Sequence, residues 1–312
     1  MNTSSIPFTC DPTVNHIFEV SKYIGTLGYL GIGGYLHFRI LQVVLGKRRK
    51  QFGDSSFFRL FATDSVASIS LILTDLLFNR FFSYISPLCP IVGPFFYEPS
   101  LIMKAHYQIA HHSRFAKSVA QIFMVLNRMS CVLMPIEHVH IWKKLTPISI
   151  ILVAILPIGG TWNIFISRTY GQPLYGGFAT NYIRTVQWAA LSLFQSIYIL
   201  TALFFTIFCT SITLYKLFSI PDRIKSIEKS LCQASFGISI TFLLVAVTQL
   251  LFAFCLPCRT GYTLYIAQSL AFDTFTIGSA IVMIATNNQL RDAIFPSKRR
   301  KSVTVVTVHL SS

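Results

Sequence analysis

Charge is what this sequence has least of. Only 12% of its 312 residues are Asp, Glu, Lys or Arg, against about 25% in an ordinary soluble domain. Acid is scarcer still, with 11 carboxylates against 26 Lys and Arg. The shortage excludes a water-soluble globule, because 53% of the residues are apolar and a folded chain of this size buries only about 75% of its surface. Disorder is excluded too, since it needs low hydrophobicity. Other absences narrow the field. No basic n-region precedes a short apolar core, so a cleavable signal peptide is not expected. No long soluble insert, internal repeat or low-complexity tract interrupts the chain, and no P-loop, zincin motif or G-x-S-x-G element appears. A mean hydropathy of +0.59 leaves a polytopic membrane protein.

What is there is apolar length. A helix needs roughly 20 mostly apolar residues to cross about 30 Å of hydrocarbon, and seven stretches qualify, near 23–45, 57–79, 107–134, 145–167, 186–214, 233–256 and 263–287. The expectation is an all-α bundle of seven transmembrane helices at 23–287, with an extracellular segment 1–22 and a basic cytoplasmic tail 288–312. The third stretch is the weakest, because its first half reads AHYQIAHHSRFAKS. The basic residues argue for keeping it. KRRK (47–50), Lys143, Lys144, Lys216, Arg223, Lys225, Lys229, Arg291 and KRRK (298–301) hold 15 of the 26 and fall on one side of a seven-span chain. Lys22, Arg80, Lys104, Arg168, Arg184 and Arg259 fall on the other. That bias puts the N-terminus outside and the tail in the cytoplasm; six spans would dissolve it. The net charge of +15 is then a topology signal that can also lie against anionic lipid, and no nucleic acid is required.

On this topology Cys10, Cys89, Cys255 and Cys258 face the oxidising side, and four such cysteines allow three full connectivities. The loop between spans four and five has no cysteine, so no bridge can reach it. Asn2-Thr3-Ser4 is an outward glycosylation sequon.

At the inner end of span three the chain reads NRMSCVLMPIEHVHIW (127–142). Rhodopsin-like receptors carry an acid-Arg-aromatic triplet there, with proline seven residues after the arginine; Arg128 and Pro135 keep that spacing. A fixed cation at a helix end can be held by the bundle at rest and released when helices part. Asn127 stands for the acid and Met129 for the aromatic, so no ion pair within the triplet can lock Arg128. Together with DSVAS (64–68), LCP (88–90), YGGF (175–178), the FT and CT pairs (205–206 and 209–210) and Leu290-Arg291, the NRMSCVLMP run followed by IW resembles the nematode serpentine receptors of class gamma, the Srg chemoreceptor-like family, from about residue 20 to 295. The resemblance implies a seven-transmembrane receptor at the plasma membrane, including that of sensory cilia, acting through a heterotrimeric G protein on a small-molecule ligand. No cofactor, metal or enzymatic activity is expected, and whether two receptors pair is left open.

Ionisable residues inside the bilayer usually face the bundle interior. Counted outward from Arg128 at 1.5 Å per residue, Lys117 lies roughly 16 Å deep and Arg114 roughly 21 Å. Tyr107, His111, Arg114, Lys117, Gln121 and Arg128 fall within an arc of about 120°, one polar stripe. Asp273 in span seven lies roughly 15 Å from its outer end. Asp64 and Asp75 in span two are three helical turns apart on one face, Asp75 toward the outer mouth. Lys117 or Arg114 is expected to pair with Asp273 or Asp75 beneath an outward-opening pocket, where a surplus cation favours an acidic or polar ligand. The loop RTYGQPLYGGFATNYIRT (168–185) could lid it. A polar stripe also marks transporters of small polar or acidic solutes, but these commonly show paired halves, which this chain lacks. His106, His111 and His112 resemble one histidine box of a membrane di-iron oxidase, without the further boxes that two metals need.

Overall fold

The computed structural model describes residues 9–11, 13–174, 176–219, 226–255 and 262–296. Seven long helices dominate them: α1 (His16–Leu41), α2 (Ser56–Thr74), α3 (Leu101–Leu133), α4 (Pro135–Ile166), α5 (Leu191–Ser219), α6 (Ser226–Phe254) and α7 (Tyr262–Thr286). A short α8 (Asn288–Ile294) follows. Local chemistry starts several of them. Asn15 caps α1 by accepting from the N–H groups of Ile17 and Phe18, and Ser100 caps α3 by accepting from Met103. Pro135 opens α4, where its missing N–H costs nothing, and it pushes Met134 out of helical conformation (φ −133°, ψ 64°). One residue therefore separates α3 from α4, and α4 begins ten residues before the expected start of span four.

Among the described residues, five helices are long and apolar enough to cross a membrane, one of them α2 with its extension to Tyr84. α1 carries Glu19, Lys22 and Arg39 toward its ends. α3 misses the standard for a different reason, which lies in packing. It packs against α2, α4 and α5 and touches α6, while α1, α2, α4, α5, α6 and α7 close a ring around it. Its polar residues sit in protein, and the ring presents the lipid-facing side chains, such as Ile151 and Ile155 of α4 and Phe204 and Phe208 of α5, each more than half exposed. A polar helix is tolerated in a bilayer when other helices surround it. α3 runs unbroken through residues 105–117, its most polar stretch.

α2 continues past Thr74 through one π-helical stretch, Asp75–Arg80, into Phe81–Tyr84. Beyond it a short helix, Cys89–Tyr97, and an antiparallel hairpin, β1 (Arg168–Leu174) and β2 (Gly177–Ile183), cover one end of the bundle. Gly176 takes a left-handed φ of 83° in the turn. A Cβ on Gly177 would fall on the carbonyls of Phe82 and Ser83, so only glycine lets the hairpin seat on the end of α2. Phe178 then stacks on Phe82 at 4.6 Å.

The same end holds a disulfide between Cys10 and Cys89, 79 residues apart. Nearby, the Thr13 side chain and N–H donate to Asp11 (2.6 and 2.9 Å) and hold its carboxyl below the usual range. Closing so long a loop restricts the unfolded chain, an effect of about 2–4 kcal/mol. Cys89→Ser is expected to lower the thermal midpoint of the protein in nanodiscs and to remove the share of its reductant sensitivity that this bridge carries; an unchanged midpoint would refute a stabilising role.

Candidate functional site

Beneath the hairpin lies a cavity of about 640 Å³, open at that end and within the 300–1,000 Å³ usual for small-molecule sites. Its walls come from Asp75, Asn79 and Arg80 at the top of α2, Tyr107, His111 and Arg114 of α3, Leu174, Ala179, Thr180 and Tyr182 of the hairpin, Gln195 of α5, Gln249 of α6 and Phe272 of α7. Arg184 stands at its rim. Polar groups outnumber apolar anchors on the α2 and α3 side, while aromatic rings gather around them: Tyr107 packs edge-on against His111 at 4.5 Å, and the Arg114 guanidinium lies 5.3 Å from the Phe272 ring.

The floor is an ion network that crosses the bundle. Arg80 donates through Nε to Asp75 (2.8 Å) and through Nη2 to Asp273 of α7 (2.9 Å). Asn79 adds a bond to Asp75 (3.0 Å), and the Tyr29 hydroxyl of α1 donates to Asp273 (2.6 Å). Arg114 approaches Asp75 at 3.7 Å, an ion pair too long to be a hydrogen bond. One layer deeper, Lys117 of α3 is 1% exposed and donates to both oxygens of Asp64 (2.9 and 3.1 Å) and to Ser68 (2.6 Å). Its ammonium lies 4.6 Å from the Phe275 ring of α7. His37 of α1 closes the layer, bonded to Ser65 (3.0 Å) and to the Thr276 carbonyl (2.8 Å). Four helices thus meet on buried polar groups.

At the other end of α3, Arg128 is buried against the Phe57 ring, 4.4 Å away. It donates to the Asn127 side-chain oxygen through Nε (3.1 Å) and Nη2, while the Asn127 amide donates to Ser56 of α2 (2.8 Å). Beside it Trp142 of α4 donates to Ser130 (2.7 Å), which also meets His138 (3.2 Å). The Asn127 carbonyl and an aromatic face hold the arginine, and it does not reach out to the lipid surface.

The family model for the Srg family chemoreceptors matches residues 23–294. The chain belongs to the Srg family. Among its relatives from Caenorhabditis elegans, serpentine receptor class gamma-15 is 54% identical over 293 residues, covering 94% of this chain and 92% of that one. Serpentine receptor class gamma-17 is 52% identical over 299 residues (96% and 93%), and class gamma-11 is 38% identical over 308 (99% and 92%). Membership makes this a helical membrane receptor of the serpentine chemoreceptor kind; the family is one of receptors, not enzymes.

Within this Srg bundle the structure brings His111, Arg114 and Asp75 together at the cavity and sets Asp273 just below. The expected pairing arises between Arg114 and Asp75, at 3.7 Å, and not through Lys117. Asp273 is already engaged by Arg80 and Tyr29, so Lys117 turns to Asp64 instead. Arg80 is the residue that sequence reasoning missed. It counts as a loop cation by position, yet it lies inside the bundle as the hub of the upper network. Pro135 touches the Arg128 region only by setting the α3–α4 corner. Of the four cysteines assigned to the oxidising side, Cys10 bonds to Cys89, and Cys255 is also in a disulfide. Cys258, the Asn2 sequon and the tail beyond residue 296 lie outside the described residues.

Proposed function

We propose that this Srg chain is a chemosensory G-protein-coupled receptor of the plasma membrane, with the hairpin end outside and the Arg128 end in the cytoplasm. One observation carries the reading: a single unbroken helix, α3, has the cavity at one end and the caged arginine at the other. Its 33 residues reach about 50 Å, enough to join the two faces of a membrane. The Cys10–Cys89 disulfide supports the orientation, since such bonds persist on the oxidising side, and so does the basic excess at the other end. Ligand in the cavity would shift the α2–α3–α7 network, and helix movement at the far end would draw Arg128 off Phe57 toward a G protein.

The test is expression of the full chain with a calcium or cyclic-nucleotide reporter, screened against excreted small molecules. Arg128→Ala is expected to cut the evoked signal about tenfold or more while ligand binding persists, a coupling loss of the size typical between linked sites. Asn127→Asp is expected to lower basal signal, because a carboxylate holds the guanidinium by stronger charge-assisted bonds. Normal coupling in Arg128→Ala would remove that residue from the mechanism. Solute flux in proteoliposomes without ligand-driven G-protein release would overturn the receptor reading.

A further inference from the structure

We propose that the hairpin-end cavity takes a small organic carboxylate, held by the Arg114 guanidinium with the His111 ring beside it. The proposal rests on the reading of this cavity as the ligand site and names the chemistry it selects.

Buried polar atoms are ordinarily hydrogen-bonded, so those without partners point to something that completes them. Among the described residues, His111 Nδ1 and Arg114 Nε are both buried with no partner, and both residues line this cavity. The other buried atoms of this kind belong to residues outside its walls. The two residues are three apart on α3, which places them side by side on one helix face. The acid nearest to them is already taken. Asp75 accepts from Arg80 and Asn79 at 2.8 and 3.0 Å, which leaves Arg114 at 3.7 Å with donors to spare. A guanidinium presents its donors in a planar fork that fits a carboxylate.

The charge around the cavity has the sign that an anion needs. Arg80, Arg114 and Arg184 line it, against Asp75 in the wall and Asp273 just below, so cations exceed acids by one. A cationic ligand would meet this surplus directly. Tyr107 and Phe272, packed beside His111 and Arg114, offer an apolar cleft for the body of the molecule. A bare inorganic anion would leave that cleft wet and most of the volume empty.

The probes are hexanoic acid and phenylacetic acid, each compared with its primary amide, on the full-length receptor in nanodiscs. Binding is read by thermal shift and by direct titration. Each acid is expected to bind about tenfold tighter than its amide, and Arg114→Gln to remove that preference with amide affinity unchanged. His111→Phe is expected to weaken the acids by several-fold. Should Arg114→Gln fail to purify as a single species, His111→Phe and the unmodified receptor carry the comparison. Equal affinity for acid and amide, no binding of either acid, or an acid preference that survives in both variants would overturn the assignment. G-protein release measured on the same preparation separates the two readings: release without acid preference overturns the carboxylate subsite alone. Acid preference without release overturns the receptor reading and leaves the subsite standing.

Discussion

Lys117→Met is expected to abolish surface expression, and adding Asp64→Asn to the same chain to restore most of it. The pair lies in the centre of the bundle, with Lys117 1% and Asp64 0% exposed. Neither charge can be reached by water, so each depends on the other. Removing one partner of a buried pair costs about 3–5 kcal/mol, because the remaining charge is left in a low-dielectric site, while neutralising both is often close to harmless. That loss is a large part of the about 5–15 kcal/mol that holds a typical protein folded. Ser68 donates nothing to the Asp64 carboxylate, since its hydroxyl bonds the Asp64 backbone carbonyl (2.8 Å), so no neighbour compensates within the layer. Surface labelling of tagged receptor in cells, with thermal midpoints of whatever can be purified, measures the effect. Wild-type expression of the single variant, or a double variant no better than Lys117→Met, would refute the coupling.

Arg80→Gln is the second large effect, and its rescue should be lopsided. The guanidinium holds two carboxylates from different helices, so its loss strands both Asp75 and Asp273. The expected cost is again about 3–5 kcal/mol. Asp75 keeps Asn79 and the approach of Arg114, whereas Asp273 keeps only the Tyr29 hydroxyl among the bonds described. Asp273→Asn should therefore rescue Arg80→Gln well, and Asp75→Asn should rescue it poorly. Fluorescence-detected size exclusion after graded heating reads the three variants side by side. Equal rescue by the two substitutions would show that Arg114 does not support Asp75.

The outline of the bundle was legible in the sequence, and so was its central helix. Seven apolar stretches became seven long helices, and the polar stripe of α3 became the wall of the cavity and the seat of the Arg128 cage. Depth alone foretold that Arg114, Lys117 and Asp273 would lie inside, since 1.5 Å per residue is fixed by helix geometry. Partnership was not legible. Asp273 and Asp75 were the carboxylates expected for Lys117, and it pairs with Asp64 because another cation had already taken those two.

Arg80 shows most clearly where sequence stops. In an α-helix a residue five positions on is rotated by about 140°, which would turn Arg80 away from Asp75. The π-helical stretch Asp75–Arg80 changes that register and brings the two onto one face. No periodicity in the sequence announces such a turn. By itself the sequence determined the family, the helical membrane architecture and the helix that links its ends, because apolar length and polar spacing are properties of the chain. The tertiary structure alone decided which charges meet, because ion pairing in a bundle follows the rotation and register of several helices at once. It also decided where the donors were left over, and those donors define the chemistry of the cavity.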